Sequence, residues 1–406
     1  MSGSKHVILF LAPQPFYQER GTPIAVRMAV ETLANAHNST TNPQKTYQIT
    51  LLTYNEGFDV PIQGVTHIRM WAPKWLIGVR PGISIKKLIA DFFFTIAAVR
   101  HLLKGNYDSI HAVEESVFIA LPFALINKKP IVYDMDSSLA SQLLERWKFL
   151  SIIKPVITCL EKIAIKKSSG VLAVCDELVN LANTYSNNSV APLYDVSLLE
   201  DQSAPTQEDL RVTISAQPDS KIILYIGNLE TYQGVDLLIE SMAHLSKNQS
   251  EHSDTHCIII GGNPSQIEKY SNMASNLDVS KHVHLIGPRP LSQLGSYLKQ
   301  ANVLSSPRIK GNNTPMKVYS YLDSEVPVVA TKLITHTQAM SESEAFFANP
   351  DPHSYAEALH TALCNTELSK SKTECAKKLV ANRYTKNAFS KALIGFYQKL
   401  ISNSRS

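Results

Sequence analysis

Short apolar runs, rich in β-branched residues, alternate with longer segments of helical pattern along most of the chain. Runs that are apolar throughout and separated by helices are typical of buried parallel strands in an α/β protein. In the first half the pattern predicts five strands and four helices. The predicted strands are 6–12, 47–54, 109–113, 129–135 and 170–175, and the predicted helices are 24–37, 84–104, 138–167 and 176–186.

The alternation lapses at 184–220, which is polar and contains three prolines, and then restarts. We therefore expect two doubly wound, Rossmann-like parallel-sheet domains, 1–200 and 201–385, facing a central cleft, with 386–406 returning to the first. Ligands of such sheets bind beyond the carboxyl ends of the strands. The second half is predicted to have strands at 221–227, 256–262, 282–287, 301–306 and 326–331, and helices at 234–247, 264–276, 291–300, 315–324, 353–365, 367–382 and 386–402.

Composition agrees with this picture and excludes several classes of protein. The 406 residues suit two domains, and 44% hydrophobic with 18% charged residues is a globular balance. A net charge of +4 without a long basic block argues against nucleic-acid binding. Five scattered cysteines without CxxC spacing disfavour disulfides or a zinc site and suit the cytoplasm, as does a start without a convincing signal peptide.

The segment 71–104 combines aromatic residues with an excess of cations. Trp71 and Trp75 precede three consecutive Phe, and the only acid is Asp91. Its apolar part, 88–103, is too short and too interrupted to span a bilayer. Two interpretations stay open: a core helix preceded by a basic loop, or a segment lying at the inner face of the cytoplasmic membrane.

Gly21-Thr22-Pro23 follows the first predicted strand and opens a helix at about residue 24. Glycine permits close approach of the backbone, threonine caps, and proline suits the first turn. Free N–H groups at such a helix start attract phosphate. An ordinary capped helix explains the same residues, and the dinucleotide fingerprint GxGxxG is absent here.

Two further strand ends in the first half carry polar residues. His111, Glu114 and Glu115 lie at the end of one strand, and we take His111 and Glu114 as candidates for catalysis or for orienting a bound substrate. Asp134 and Asp136 lie at the exit of the next strand as candidates for orienting a substrate, although Asp136 also suits the N-cap of a helix. No histidine or further acid accompanies them, so no metal site is predicted.

Strand ends in the second half offer backbone N–H groups and cations. The stretch "SPRIKGNNTPMK" is the most specific, because a strand end, two cations, a Thr-Pro helix start and a lysine follow one another. A diphosphate fits such a loop better than a carboxylate does. The candidate ligands here are Gly227, Gly234, Arg289, Arg308, Lys310, Thr314 and Lys317.

These motifs, in this order, resemble the GT-B glycosyltransferases of the large retaining family four. The resemblance covers nearly the whole chain and is most specific at "YIGNLETYQGVDLLIESM" and "TPMKVYSYLDSEVPVVAT". It implies an N-terminal acceptor domain, a C-terminal domain binding a nucleoside diphosphate sugar, and hexose transfer to a lipid or glycan hydroxyl. It also implies that no metal or other cofactor is needed.

The chain departs from the family pattern at the residues that usually hold the diphosphate. Asn228 and Gln233 replace the usual Arg and Lys, and Ser320 stands where the second of two glutamates is expected. Val113 replaces the second histidine of a His-x-His pair that begins at His111. Either Arg308, Lys310 and Lys317 supply the charge instead, or the site has lost activity. The alternatives to a glycosyltransferase function are a non-catalytic partner subunit and a sugar-nucleotide epimerase.

Overall fold

The computed structural model describes residues 5–36, 46–79, 84–139, 154–199, 208–247 and 254–403. The chain divides into two compact units. The first comprises 1–194 with 389–406, and the second comprises 195–388. The predicted boundary between residues 200 and 201 lies outside the described residues.

The first unit is built on a seven-stranded, fully parallel sheet with strand order β3-β2-β1-β4-β5-β6-β7. Two strands were not predicted. β3 is a partly exposed edge strand with polar residues, and β7 begins within the polar stretch taken as the interdomain connection. The strands are β1 Lys5–Leu11, β2 Thr46–Thr53, β3 Val65–Arg69, β4 Ser109–Val113, β5 Ile131–Met135, β6 Gly170–Ala173 and β7 Ser189–Pro192.

The helices of this unit cover the sheet, and α2 to α5 contribute to one apolar core with it. α3 was missed because it is apolar on all sides and contains Pro122. Of the predicted helix 138–167, the part at 140–153 lies outside the described residues. The helices are α1 Gly21–Ala34, α2 Ile85–Lys104, α3 Ser116–Ile126, α4 Lys154–Lys167, α5 Asp176–Tyr185 and, from the C-terminus, α14 Lys386–Asn403.

The second unit has a six-stranded parallel sheet with order β10-β9-β8-β11-β12-β13. The apolar centres of β8, β9, β11 and β12 are buried, as their sequences predict. The short edge strand β13 was not predicted. The strands are β8 Lys221–Ile226, β9 Thr255–Ile260, β10 Val283–Gly287, β11 Val303–Ser306, β12 Val328–Thr331 and β13 Phe346–Ala348.

The helix predicted at 315–324 starts later than expected. α10 begins at Lys317 rather than at Pro315, because Val318 N and Tyr319 N bond three residues back, to Pro315 and Met316, and make a lead-in turn. The helices are α6 Leu210–Thr213, α7 Val235–Lys247, α8 Pro264–Asn276, α9 Leu294–Leu298, α10 Lys317–Asp323, α11 Ile334–Thr337, α12 Pro352–Cys364 and α13 Thr366–Arg383.

Both sheets therefore confirm the predicted fold class of two Rossmann-like parallel α/β units. Within the described ranges, no helix is long and apolar enough to cross a membrane. All five cysteines are free thiols.

Candidate functional site

The loops after the adjacent strands β8 and β11 touch through their backbones in the second unit. Gly234 has a φ of 71°, and a Cβ there would lie 1.9 Å from the carbonyl oxygen of Pro307. Ile309 N donates to Tyr232 O at 3.0 Å. Only glycine allows this approach, so the predicted Gly234 brings together the two loops that carry the candidate ligands.

Arg308 lies buried where these loops meet. Its guanidinium donates to Lys310 O at 2.7 Å and to Asn313 Oδ1 at 3.1 Å. It also lies over the ring of Tyr232, 5.1 Å from the ring centroid. The cation is thus held in a fixed position by a carbonyl, an amide and an aromatic face.

Lys317 extends its ammonium group over Tyr225, with Nζ 3.5 Å from the ring centroid. Nζ is buried and has no hydrogen-bond partner among the described residues. Burial, and then repulsion from Arg308, lowers the pKa of Lys317 well below its ordinary value. Because a Cβ at Gly227 would lie 3.3 Å from Nζ, the glycine keeps this space open. A buried cation without an acceptor is a natural site for an anion.

Two other predicted donor ligands also have buried polar atoms without partners in the described part of the chain. These atoms are Thr314 Oγ1 and Gln233 Oε1. Buried polar atoms normally have partners, so a ligand or water can satisfy both. The structure therefore places Gln233, Thr314 and Lys317 in surroundings that suit a polar, anionic ligand.

His336 was missed by the sequence analysis, and nothing in "ITHT" marks it. It is fully buried, with Nδ1 donating to Thr331 O at 2.9 Å and Nε2 accepting from Ser306 Oγ at 2.8 Å. Burial, with smaller contributions from Arg308 and Lys317, lowers its pKa to about 3. Its neutral ring links the ends of β11 and β12.

Four other candidates of this unit are exposed or bonded to protein groups in the structure, and their role in donor binding stays a prediction. Arg289 makes two 2.7 Å bonds to Glu208, so its guanidinium is engaged in an ion pair. Lys310 is exposed and contributes its carbonyl to Arg308.

Ser320 Oγ accepts from Leu198 N at 3.0 Å inside the unit. Asn228 is exposed and accepts from Glu230 N at 3.3 Å.

Glu114 occupies the carboxyl end of β4 in the first unit, where its φ of 48° is unusual for a non-glycine residue. Ser137 Oγ donates to its carboxylate at 2.9 Å. Burial, and then the neighbouring Glu115, raises the pKa of Glu114 to about 7. Lys87 of α2 forms an ion pair with Glu115 beside it. A carboxyl group with this pKa can exchange a proton near neutral pH, and the catalytic role of Glu114 stays a prediction.

Replacing Glu114 by glutamine is expected to stabilise the protein at pH 8 by roughly 1–3 kcal/mol, and less at pH 5. The raised pKa means that the folded wild type binds more protons than the unfolded chain between pH 4.5 and about 7, so stability is lost as pH rises. Urea denaturation at both pH values measures this. A gain that is larger at pH 5 would contradict the raised pKa.

His111 and Asp134 are bonded to each other inside this unit. His111 is fully buried, donates from Nε2 to Asp134 Oδ2 at 2.9 Å and accepts at Nδ1 from Tyr397 at 2.8 Å. Its ring also stacks on Phe10, with centroids 4.0 Å apart. Since both ring nitrogens are engaged, His111 joins β4 and β5 to α14, and its role in catalysis stays a prediction.

The remaining candidates of the first unit are simply located. α1 starts at Gly21, so Thr22 lies inside its first turn and is not the predicted cap; Arg20 holds the cap position without a side-chain bond. The helix that Asp136 was predicted to cap lies largely outside the described residues. No group of three His, Cys, Asp or Glu in the described ranges could hold a metal ion.

Comparison with known proteins agrees with this architecture. The profile of the family "Glycosyl transferases group 1" matches residues 206–379. D-inositol 3-phosphate glycosyltransferase of Corynebacterium glutamicum is 26% identical over 184 residues, 44% of this chain and 43% of that enzyme. The chain thus spans less than half the length of that curated relative.

Two solved structures share the fold over almost their whole length. Sucrose-phosphate synthase from Thermosynechococcus elongatus has a TM-score of 0.76 at 16% identity, covering 98% of this chain and 100% of that one. Anabaena HepE in complex with UDP-glucose has a TM-score of 0.70 at 14% identity, covering 97% and 99%. The chain is therefore similar to the group 1 glycosyltransferases over residues 206–379, less than half of its length, and it shares the fold of the two solved structures.

Proposed function

We propose that the protein transfers a hexose from a nucleoside diphosphate sugar, most simply a UDP-sugar, to a hydroxyl group of a lipid or glycan. The observation that carries the proposal is the buried ammonium of Lys317, which has no hydrogen-bond acceptor in the described structure and lies near Arg308. A diphosphate would supply the missing negative charge. The UDP-glucose complex of HepE supports this donor class.

In the proposed reaction, the bond between the sugar C1 and the diphosphate oxygen breaks, and its electron pair stays on that oxygen. The acceptor oxygen forms a new bond to C1 on the same face of the sugar, with retention. The acceptor proton passes to the departing diphosphate. Charge on this leaving group increases in the transition state, where Lys317 and Arg308 would stabilise it more than in the ground state.

Neutral groups would complete the donor site. Gln233 and Thr314 hold polar atoms that lack partners in the described part, and they can bond the diphosphate or the sugar. Lys317 and Arg308 would neutralise the diphosphate in place of a metal ion, so we expect transfer without added divalent metal. Glu114, with its pKa of about 7, is the proposed contact for the acceptor hydroxyl in the first unit.

Isothermal titration with UDP-glucose, GDP-mannose and UDP tests the donor class. We expect a UDP-sugar to bind with a Kd in the micromolar range, and UDP to be released when an acceptor is supplied. Failure of the folded protein to bind any nucleoside diphosphate sugar would overturn the proposal. Binding without transfer or donor hydrolysis would favour the partner subunit. A converted sugar nucleotide formed without acceptor would identify an epimerase.

A further inference from the structure

Helix α2 leaves a continuous apolar stripe uncovered. Phe92 is 62% exposed and Leu103 71% exposed, whereas the side chains of the opposite face are buried. At 100° per residue the exposed residues fall within an arc of about 80°. The stripe consists of Ile85, Leu88, Phe92, Ile96 and Leu103, and the buried face consists of Ala90, Phe94, Ala98 and Leu102.

The loop before α2 extends this apolar surface. Trp71 is 75% exposed and packs edge-on against Phe93, with ring centroids 5.7 Å apart. Trp75 and Ile77 are also exposed, and the Lys86 ammonium donates to the carbonyl of Ile77. The loop is thus fixed to the start of α2. We call the stripe together with Trp71, Trp75 and Ile77 the α2 face.

Exposed cations border the α2 face, and two acids near it, Glu56 and Asp59, are bonded to Gly78 N–H and to Arg69. Lys74, Arg100 and Lys104 are exposed. Asp91, the only acid in 71–104, instead turns to Lys87 and accepts from Tyr54. Exposed Trp and apolar side chains bordered by cations form the pattern of a surface that lies in the interface of an anionic bilayer.

A groove of about 400 Å³ opens beside the α2 face. Its walls include Ile68, Met70 and Trp71, and its lining also includes Arg100 and Lys104. An apolar space bordered by cations fits the upper part of an acyl chain below an anionic headgroup. The groove therefore points to the same partner as the α2 face.

We propose that the α2 face docks on a membrane surface containing anionic lipid. Charge decides between this partner and a second copy of the chain, since two α2 faces brought together would oppose like charges. Lys87 of α2 reaches Glu115 at the carboxyl end of β4, so the docked helix lies beside Glu114. Delivery of a lipid acceptor to this sheet edge additionally rests on the proposed function.

Flotation with phosphatidylcholine vesicles, with and without phosphatidylglycerol, tests the docking. We expect only the anionic vesicles to retain the full chain, with less retention at high salt. Arg100→Glu combined with Lys104→Glu should weaken binding about thirtyfold or more. Leu88→Ser combined with Phe92→Ser should weaken it to a similar degree.

Matched control variants lie in the second unit. Val212→Ser removes an equally exposed apolar side chain, and Lys370→Glu with Lys378→Glu reverses two exposed charges. Equal retention of the α2 and control variants, or no retention of the wild type, would overturn the proposal. Light scattering showing that Leu88→Ser with Phe92→Ser splits a lipid-free dimer would also overturn it. UDP-glucose titration of the same variants reports on the proposed function separately.

Discussion

Replacing Lys317 by methionine weakens UDP-glucose binding about 100-fold and makes the free protein more stable. Binding weakens because a charge-assisted bond to the diphosphate, of about 1.5–3 kcal/mol, is lost. Stability rises because the wild type buries an ammonium group that lacks an acceptor in the described structure. Methionine keeps the contact with Tyr225 without that cost, and we expect a gain of about 1–3 kcal/mol in the free energy of unfolding.

The stability difference between wild type and Lys317→Met should also change with pH. The pKa of Lys317 is lowered in the folded state, so the unfolded wild type binds more protons and its stability increases as pH rises toward 10.5. The Lys317→Met variant should show a smaller increase. Titration calorimetry and urea denaturation measure both effects, with the exposed Lys310→Met as the control. Undiminished affinity in Lys317→Met would remove the central support for the donor site.

Lowering the pH from 7 to 4.5 destabilises the wild type through His336 by about 2–3 kcal/mol. The unfolded histidine becomes protonated below pH 6.5, whereas the folded ring, with a pKa of about 3, stays neutral. The unfolded state therefore binds the extra proton, and the stability of the folded state decreases as the pH is lowered through this window. Protonation in the folded state would oppose Arg308 and Lys317 and change the bond to Ser306.

Denaturation of wild type and His336→Gln at several pH values tests this. The variant is less stable at pH 7, so the slope of stability against pH is the informative quantity. We expect the slope between pH 4.5 and 6.5 to be smaller in the variant, and unchanged in His353→Gln at an exposed position. Equal slopes for wild type and His336→Gln would contradict a buried His336 ring that stays neutral in the folded state.

The fold followed from the sequence because its signal is local and repeated. Apolar runs such as "KIILYIG" and "HCIIIGG" are too continuous for one-sided strands, and the segments between them are long enough for helices. The pattern failed where burial is partial or total. β3 and β7 are short and partly exposed, and α3 is apolar on all sides. None of the three therefore shows the spacing of apolar residues by which a strand or a helix is recognised.

The candidate site was only partly predictable. Glycines and cations after strands indicated that Gly234, Arg308 and Lys317 belong together, because strand ends of one sheet meet at one edge. The same reasoning included Arg289, since a sequence does not reveal that Glu208, 81 residues away, pairs with it. It also gave His111 a substrate role, although Tyr397 and Asp134 engage both of its nitrogens.

By itself, the sequence determined the two parallel-sheet units, the loops that carry polar ligands, and the mixture of aromatic and basic residues at 71–104. Tertiary structure alone decided which of these side chains have partners. The partners in question lie far apart in the chain. The fold provides partners for Arg289 and His111, buries His336 in its neutral form, and leaves the ammonium of Lys317 without an acceptor in the described residues. The pairing of Asp91 with Lys87 beside the α2 face was likewise decided by the fold.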